Sequence, residues 1–300
     1  MSQPESETKV RWEEMFPDEF VAAREAHPIC YMGYGLSEPH GAYNALGLDF
    51  IKAKEILERA AMINGGIVAP PVAWHITDLP TFHTGPDGWF AGVGIKQSLA
   101  SSIPADLFYR MVLFQIRAFD DRGFHAAILV TGHYGGLERH IRLLCDYYVR
   151  RSGSPIKLYA CADWELIRYE DIRGDHAGVC ETSQLMAVRP DLVDLDRNEV
   201  PSELGTRYAG SEFPNKAGRT PSKELGEKIV NSQIERLAEI KNDLLEAYTP
   251  TENWSAPSMT EAEDIWHRYE SLTRKYWSTT FAEYRNKTEP EFPGWEALGE

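Results

Sequence analysis

The chain has 300 residues, 43% of them hydrophobic and 26% charged, which suffices for one large α/β domain or two small ones with a sizeable core. Forty-six acidic against 31 basic residues give a formal net charge of −15, an argument against nucleic acid or an anionic membrane as partner and a fit to an enzyme with a small-molecule substrate. The four cysteines lack C-x-x-C spacing and read as free thiols of a cytoplasmic protein; the first residues lack a basic segment followed by an apolar run and read as no leader peptide, and no window approaches roughly eighteen consecutive apolar residues.

Residues 1–27 are polar with scattered aromatics and read as an N-terminal arm with a short helix. Ile29 to Gly35 reads as a short buried strand ending in glycine. A loop with Glu38 and His40 follows. From Asp49 to Ile63, apolar residues at 50, 53, 56/57 and 60/61 have the spacing of an amphipathic helix, closed by Gly65-Gly66. Ile67 to Val72 reads as a second strand. Residues 73–103 are rich in Gly, Pro, Trp and His, and so long a loop-rich stretch is usually functional. Trp74 and Trp89, with Trp164 farther on, are candidates for an apolar wall, and His75 and His83 for substrate contact.

Pro104 to Arg122 reads as a helix with Pro near its first turn and Gly123 past its end. Ala126 to Val130 is an apolar run of buried-strand type. A second amphipathic helix spans Leu137 to Arg151, and a further strand spans Ile156 to Ala162. A helix starts near Glu181, residues 189–221 are loop-like, and Pro221 to Tyr248 is a long helix. Residues 249–300 form an aromatic-rich extension with Trp266, Trp277 and Trp295, expected to pack on the domain or on a neighbouring subunit. Alternating strands and helices imply a single-domain three-layer α/β/α sandwich over residues 28–248 with a mostly parallel sheet. In such sheets ligands bind beyond the carboxyl ends of the strands, where Glu38, His40 and His133 all fall.

Three segments supply metal chemistry: Glu38-Pro39-His40-Gly41 with Asp49, then Gly132-His133-Tyr134, then His176-Ala177-Gly178 with Glu181. Imidazole and carboxylate together suit zinc, manganese or iron. In an extended segment, Glu38 and His40 point the same way and can face two adjacent ions. Taken singly, each residue also has a plain structural role; Asp49, for instance, suits a helix N-terminus.

Jointly, these motifs resemble the creatininase (creatinine amidohydrolase) family, whose segments commonly read E-x-H-G-x-H-L-P-x-x-T-D, N-G-H-G-G-N and H-A-G-x-x-E-T-S. The resemblance implies a creatininase-like α/β fold, a binuclear centre and a homohexamer. It implies that Glu38, Asp49 and His133 hold one metal and that His40 and Asp49 hold the other, with Asp49 bridging. It also matches His176 to the acid/base histidine and Tyr134 to the tyrosine after the metal-binding histidine, and these two are the candidate catalytic residues. The chain departs from the pattern at Tyr43, Asn44-Ala45, Leu48 and Thr131. Gly135 stands where creatininase has a glutamate ligand, and Glu181 is expected to replace it. The expected activity is hydrolysis of a small polar cyclic amide with two divalent ions. The alternatives are cleavage of a carbon–carbon bond in a cyclic keto-polyol and a non-catalytic assembly subunit.

Overall fold

The structure, a computed structural model, describes residues 9–76, 99–134, 137–199, 213–215, 217–277 and 291–300. Among them, one sheet of four parallel strands runs in the order β2-β1-β3-β4: β1 Ile29–Tyr34, β2 Ile67–Val68, β3 Ala126–Thr131 and β4 Lys157–Ala162. β1 and β3 pair from Ile29 opposite Ala126 to Tyr34 opposite Thr131, and every residue of both is buried. Strands covered on both faces read as continuous apolar runs, which is how ICYMGY and AAILVT read.

The helices are α1 Pro17–Ala26, α2 Leu48–Asn64, α3 Ala105–Asp121, α4 Leu137–Ser152, α5 Val179–Val188, α6 Lys223–Glu246 and α7 Met259–Thr273. Successive strand side chains point to opposite faces of the sheet. Cys30, Met32, Tyr34, Ala127 and Leu129 meet a layer built from α3, α4 and α7. Ile29, Tyr31, Ala126, Ile128 and Val130 meet a layer built from α2, α5 and α6. The result is the three-layer sandwich that the alternating pattern implied.

Local chemistry moves some boundaries. β2 keeps only two residues, since Pro70 and Pro71 follow and proline cannot donate to a ladder; Val72 returns as an isolated bridge to Tyr34. The buried face of α2 includes Asp49, Lys52, Ala53, Ile56 and Leu57, so the stripe turns around Asp49 and Lys52, not Phe50. α5 begins at Val179, ahead of Glu181, because the Asp175 carboxylate accepts from the N–H groups of Cys180 and Glu181. α6 begins where the Ser222 hydroxyl accepts from the Leu225 N–H.

Val10 is buried against the α2 side, and Arg11 bridges to Val68 at the sheet edge. Trp266, Tyr269, Trp277 and Trp295 join the core on the α3/α4 side, with the Trp295 and Tyr147 rings 4.7 Å apart. All four cysteines are buried free thiols. Among the described residues, no helix is long and apolar enough to cross a membrane.

Candidate metal centre

Three chain segments leave the carboxyl edge of the sheet side by side. β1 runs into the loop of Glu38 and His40, β3 into Gly132-His133, and β4 into Asp163. The first turn of α2 closes against them. A Cβ on Gly132 would sit 2.1 Å from the Asp49 carbonyl oxygen, and one on Gly35 would sit 2.5 Å from the Phe50 nitrogen. Only glycine at these two positions lets the strand ends approach the turn that carries Asp49.

Asp49 is the hub. Its Oδ1 lies 3.0 Å from His40 Nε2, and its Oδ2 lies 3.1 Å from His133 Nδ1. Glu38 Oε1 is 3.1 Å from the same His133 nitrogen, and Glu181 Oε2 is 3.6 Å from His40 Nε2. His40 Nδ1 lies 3.0 Å from the Glu38 backbone carbonyl. A carbonyl only accepts, so Nδ1 carries a proton and Nε2 is presented to Asp49 and Glu181.

Glu38, Asp49 and His133 form one cluster of buried ligand-type atoms that could hold an ion. His40, Asp49 and Glu181 form a second, and Asp49 belongs to both. Among the described residues, Glu38 Oε2, His40 Nε2 and Asp49 Oδ1 are buried without an aligned hydrogen-bond partner. Buried polar atoms are rarely left so. Atoms of this kind converging from three segments fit a divalent cation with nitrogen and oxygen ligands.

The electrostatics agree. Burial alone would lower His40, but Asp49, then Glu181 and Glu38, raise it to about 9. His133 is likewise driven well above its usual value: burial opposes this, and Glu38 and Asp49 outweigh it. Asp49 is held well below the usual carboxylate range, since His40 and His133 overcome its burial. The carboxylates thus draw protons onto the two histidines, as they would draw metal ions.

His176 stands at the rim. Its side chain is 36% exposed and its ring stacks on His40 at 4.5 Å. Nε2 donates to the Pro39 carbonyl at 3.0 Å, which turns the basic Nδ1 toward Glu38 Oε1, 3.7 Å away. The turn that carries it contains Ala177 at φ 51°, a left-handed conformation uncommon for alanine. Two bonds fasten that turn: Tyr43 Oη donates to the Ala177 carbonyl at 2.7 Å, and the Ala177 N–H donates to Glu181 Oε2 at 2.7 Å. Tyr134 donates its hydroxyl to the Asp175 carbonyl at 2.8 Å, so it steadies the same turn. Tyr43, where the family pattern has histidine, has exchanged a polar ring for a strut.

The loop-rich wall is met in part. His75 is fully buried; its Nδ1 accepts from the Ile76 N–H and its Nε2 donates to Thr131 Oγ1. Thr131 in turn donates to the His133 carbonyl, so His75 supports a site residue from behind. Trp164 lies edge-on to Tyr134 at 6.5 Å, whereas Trp74 is 55% exposed. His83, Trp89 and Gly135 lie outside the described residues.

Several site residues carried no flag in the motifs. Lys52 is fully buried, with Nζ 2.6 Å from Glu181 Oε1 and 3.5 Å from Asp163 Oδ1, and it lies 4.7 Å from the Tyr134 ring centroid. Asp163 is held by Gln184 at 2.7 Å. Asn44 ties the His40 carbonyl to the Thr182 hydroxyl. One signal was available: Lys52 is three residues after Asp49, on the same helix face, inside an otherwise apolar stripe.

A parallel α/β sandwich with buried histidines and carboxylates gathered at the carboxyl edge of its sheet defines the class: an α/β protein with a candidate metal site. The family model for creatinine amidohydrolase matches residues 13–240, so the chain belongs to the creatininase family. The creatinine amidohydrolase of Pseudomonas putida is 24% identical over 254 residues, covering 74% of this chain and 91% of that protein. A crystal structure of creatininase superposes with a TM-score of 0.59 at 22% identity, covering 81% of this chain and 99% of the other. A variant creatininase complexed with creatine gives 0.60 at 22% identity, over 79% and 98% of the two chains. A manganese form gives 0.57 at 23% identity, over 81% and 100%.

Proposed function

We propose that the protein is a binuclear metal-dependent hydrolase that cleaves a carbon–nitrogen bond in a small polar cyclic amide. One observation carries the reading: Asp49, fully enclosed, turns its two oxygens to two different histidines. Glu38, Asp49 and His133 hold one divalent ion; His40, Asp49 and Glu181 hold the other. Relatives solved in manganese and zinc–zinc forms support those metals, and iron also suits the donors. When bound, such a pair supplies a water activated near neutral pH and polarises a carbonyl.

The chain's own residues do the rest. His176, half-exposed at the rim, takes up a proton at Nδ1 and passes it to the leaving nitrogen. Tyr134 and Tyr43 hold its turn in place. A curated relative named for creatinine and a solved relative complexed with creatine support a small polar substrate. The same reading makes the enzyme a cytoplasmic homohexamer, in keeping with the family resemblance and the four free thiols.

The test is metal content per chain of the purified protein beside its Asp49→Ala variant. Close to two ions per chain, lost in the variant, is the expected result, followed by ring opening in a panel of cyclic amides to one product that carries a new carboxylate and a new amino or guanidino group. Metal content unchanged in Asp49→Ala would refute the shared ligand. Ring opening of a cyclic keto-polyol to a carboxylate, with no cyclic amide turned over, would transfer the activity to carbon–carbon cleavage.

A further inference from the structure

Lys52 has no place in the chemistry above, yet its ammonium is sealed inside the site. An ammonium deprived of water persists only where anions and dipoles replace its hydration. Here Glu181 from α5, Asp163 from the end of β4 and the face of the Tyr134 ring do so. Gln184 and Gln233 in turn fix Asp163, donating to its side-chain and backbone oxygens at 2.7 and 2.8 Å. The arrangement draws on α2, α5, α6 and the ends of β3 and β4, and Lys52 and Asp163 are fully buried within it.

Its consequence falls unevenly on the two ligand clusters. Both oxygens of Glu181 are already engaged, Oε1 by Lys52 at 2.6 Å and Oε2 by the Ala177 N–H at 2.7 Å. A cation between His40, Asp49 and Glu181 must share that carboxylate with a fixed positive charge. Among the described residues, no lysine or arginine forms an ion pair with Glu38 or Asp49, and Glu38 Oε2 is without a hydrogen-bond partner. We infer that Lys52 is a positioning residue that grades the metal centre: it holds Glu181 in place as an internal cation and weakens metal binding selectively at the His40–Asp49–Glu181 half. The inference rests on the binuclear reading and goes beyond it, because it assigns the unequal affinity of the two halves to one side chain of this chain.

The experiment is titration of the full-length, chelator-stripped protein with Zn²⁺ and, separately, Mn²⁺, followed calorimetrically and by chelator competition. Wild type is compared with Lys52→Met, which keeps the length and removes the charge, and with Asp163→Asn, which leaves the ammonium to Glu181 alone. In wild type the second ion binds at least tenfold more weakly than the first. Lys52→Met tightens the second step at least tenfold and moves the first by less than threefold. Asp163→Asn weakens the second step at least threefold and so reads the same effect in the opposite direction, should Lys52→Met not fold. Equal shifts in both steps, or none in either variant, overturn the role of Lys52 and leave the hydrolase reading standing. A wild-type protein that binds neither ion overturns both.

Discussion

The two layers that cover the sheet are built from different material. The layer of α3, α4 and α7 is apolar and aromatic, with Phe108, Tyr109, Trp266, Tyr269 and Trp277 packed into one continuous cluster. The layer of α2, α5 and α6 encloses Asp49, Lys52, Glu181, Thr182, Ser183, Gln184 and Gln233 alongside its aliphatic residues. Burying aromatic area is favourable wherever it occurs. Buried polar and charged groups are tolerated only where each finds a partner, so that layer must be specified residue by residue. Stability and chemistry are therefore separable from one side: the aromatic layer can be damaged with little effect on the site, whereas a change that strands a buried charge in the polar layer costs site and fold together.

The sharpest test of that separation is His176→Ala. It removes the rim imidazole that stacks on His40 and leaves every ligand of the two proposed ion sites in place, and a general acid is worth about 10²–10⁴ in rate. The expected outcome is loss of turnover in that range with metal content and melting temperature unchanged. Loss of metal would instead make the rim and the buried centre one unit. The converse test is Trp266→Ala in the aromatic layer, a cavity change that costs about 3–5 kcal/mol in unfolding free energy. Chemical denaturation should show that cost while metals per chain stay the same. A metal loss in this variant would break the comparison outright.

Much of this contrast was legible before any coordinates. The apolar runs of β1 and β3 announced a parallel sheet covered on both faces, and Glu38, His40 and His133 fell after strand ends without being placed there. Glu181 could be named as a site residue from the gap at Gly135, and it does lie 3.6 Å from His40. What stayed hidden depends on tertiary packing. The partners of Lys52 appear only when α5 and the end of β4 close over it, and those of Asp163 only when Gln184 and Gln233 reach it. Tyr43 looks like a lost histidine until its hydroxyl is seen on the Ala177 carbonyl. Partners that close from distant segments leave no periodic trace, whereas strand burial and motif spacing do.

pH separates the layers in a third way. In the metal-free protein His40 is raised from 6.5 to about 9, so it is protonated in both folded and unfolded chains below the lower value. Its contribution to stability is fully present there and is lost as pH rises from 6.5 through about 9. A metal needs His40 neutral, so uptake below pH 9 expels that proton, and binding tightens by about tenfold per pH unit for each proton released. Metal-free protein should thus lose thermal stability over this window while metal-loaded protein does not. Buffers of different ionisation heat should reveal proton release on Zn²⁺ binding. A melting temperature flat with pH in the metal-free protein would refute the charged histidines.

The smallest effect is the one most even-handed between the layers. Ser222 caps α6 in the polar layer, accepting from the Leu225 N–H, and Ser258 caps α7 in the aromatic layer, accepting from the Glu261 N–H. Each hydroxyl satisfies one backbone donor that the helix start leaves open, worth about 1 kcal/mol when replaced by alanine. The two caps differ in what stands behind them. The Ser222 N–H donates to the buried Ser183 hydroxyl, which belongs to α5 beside Glu181, whereas Ser258 closes a local box with Glu261. Ser222→Ala and Ser258→Ala should therefore destabilise the protein equally within a few tenths of a kcal/mol, since each deletes one hydrogen bond of the same kind. If Ser222→Ala alone also shifts metal affinity, the start of α6 belongs to the frame that holds Glu181; if both leave it unchanged, that frame ends at α5.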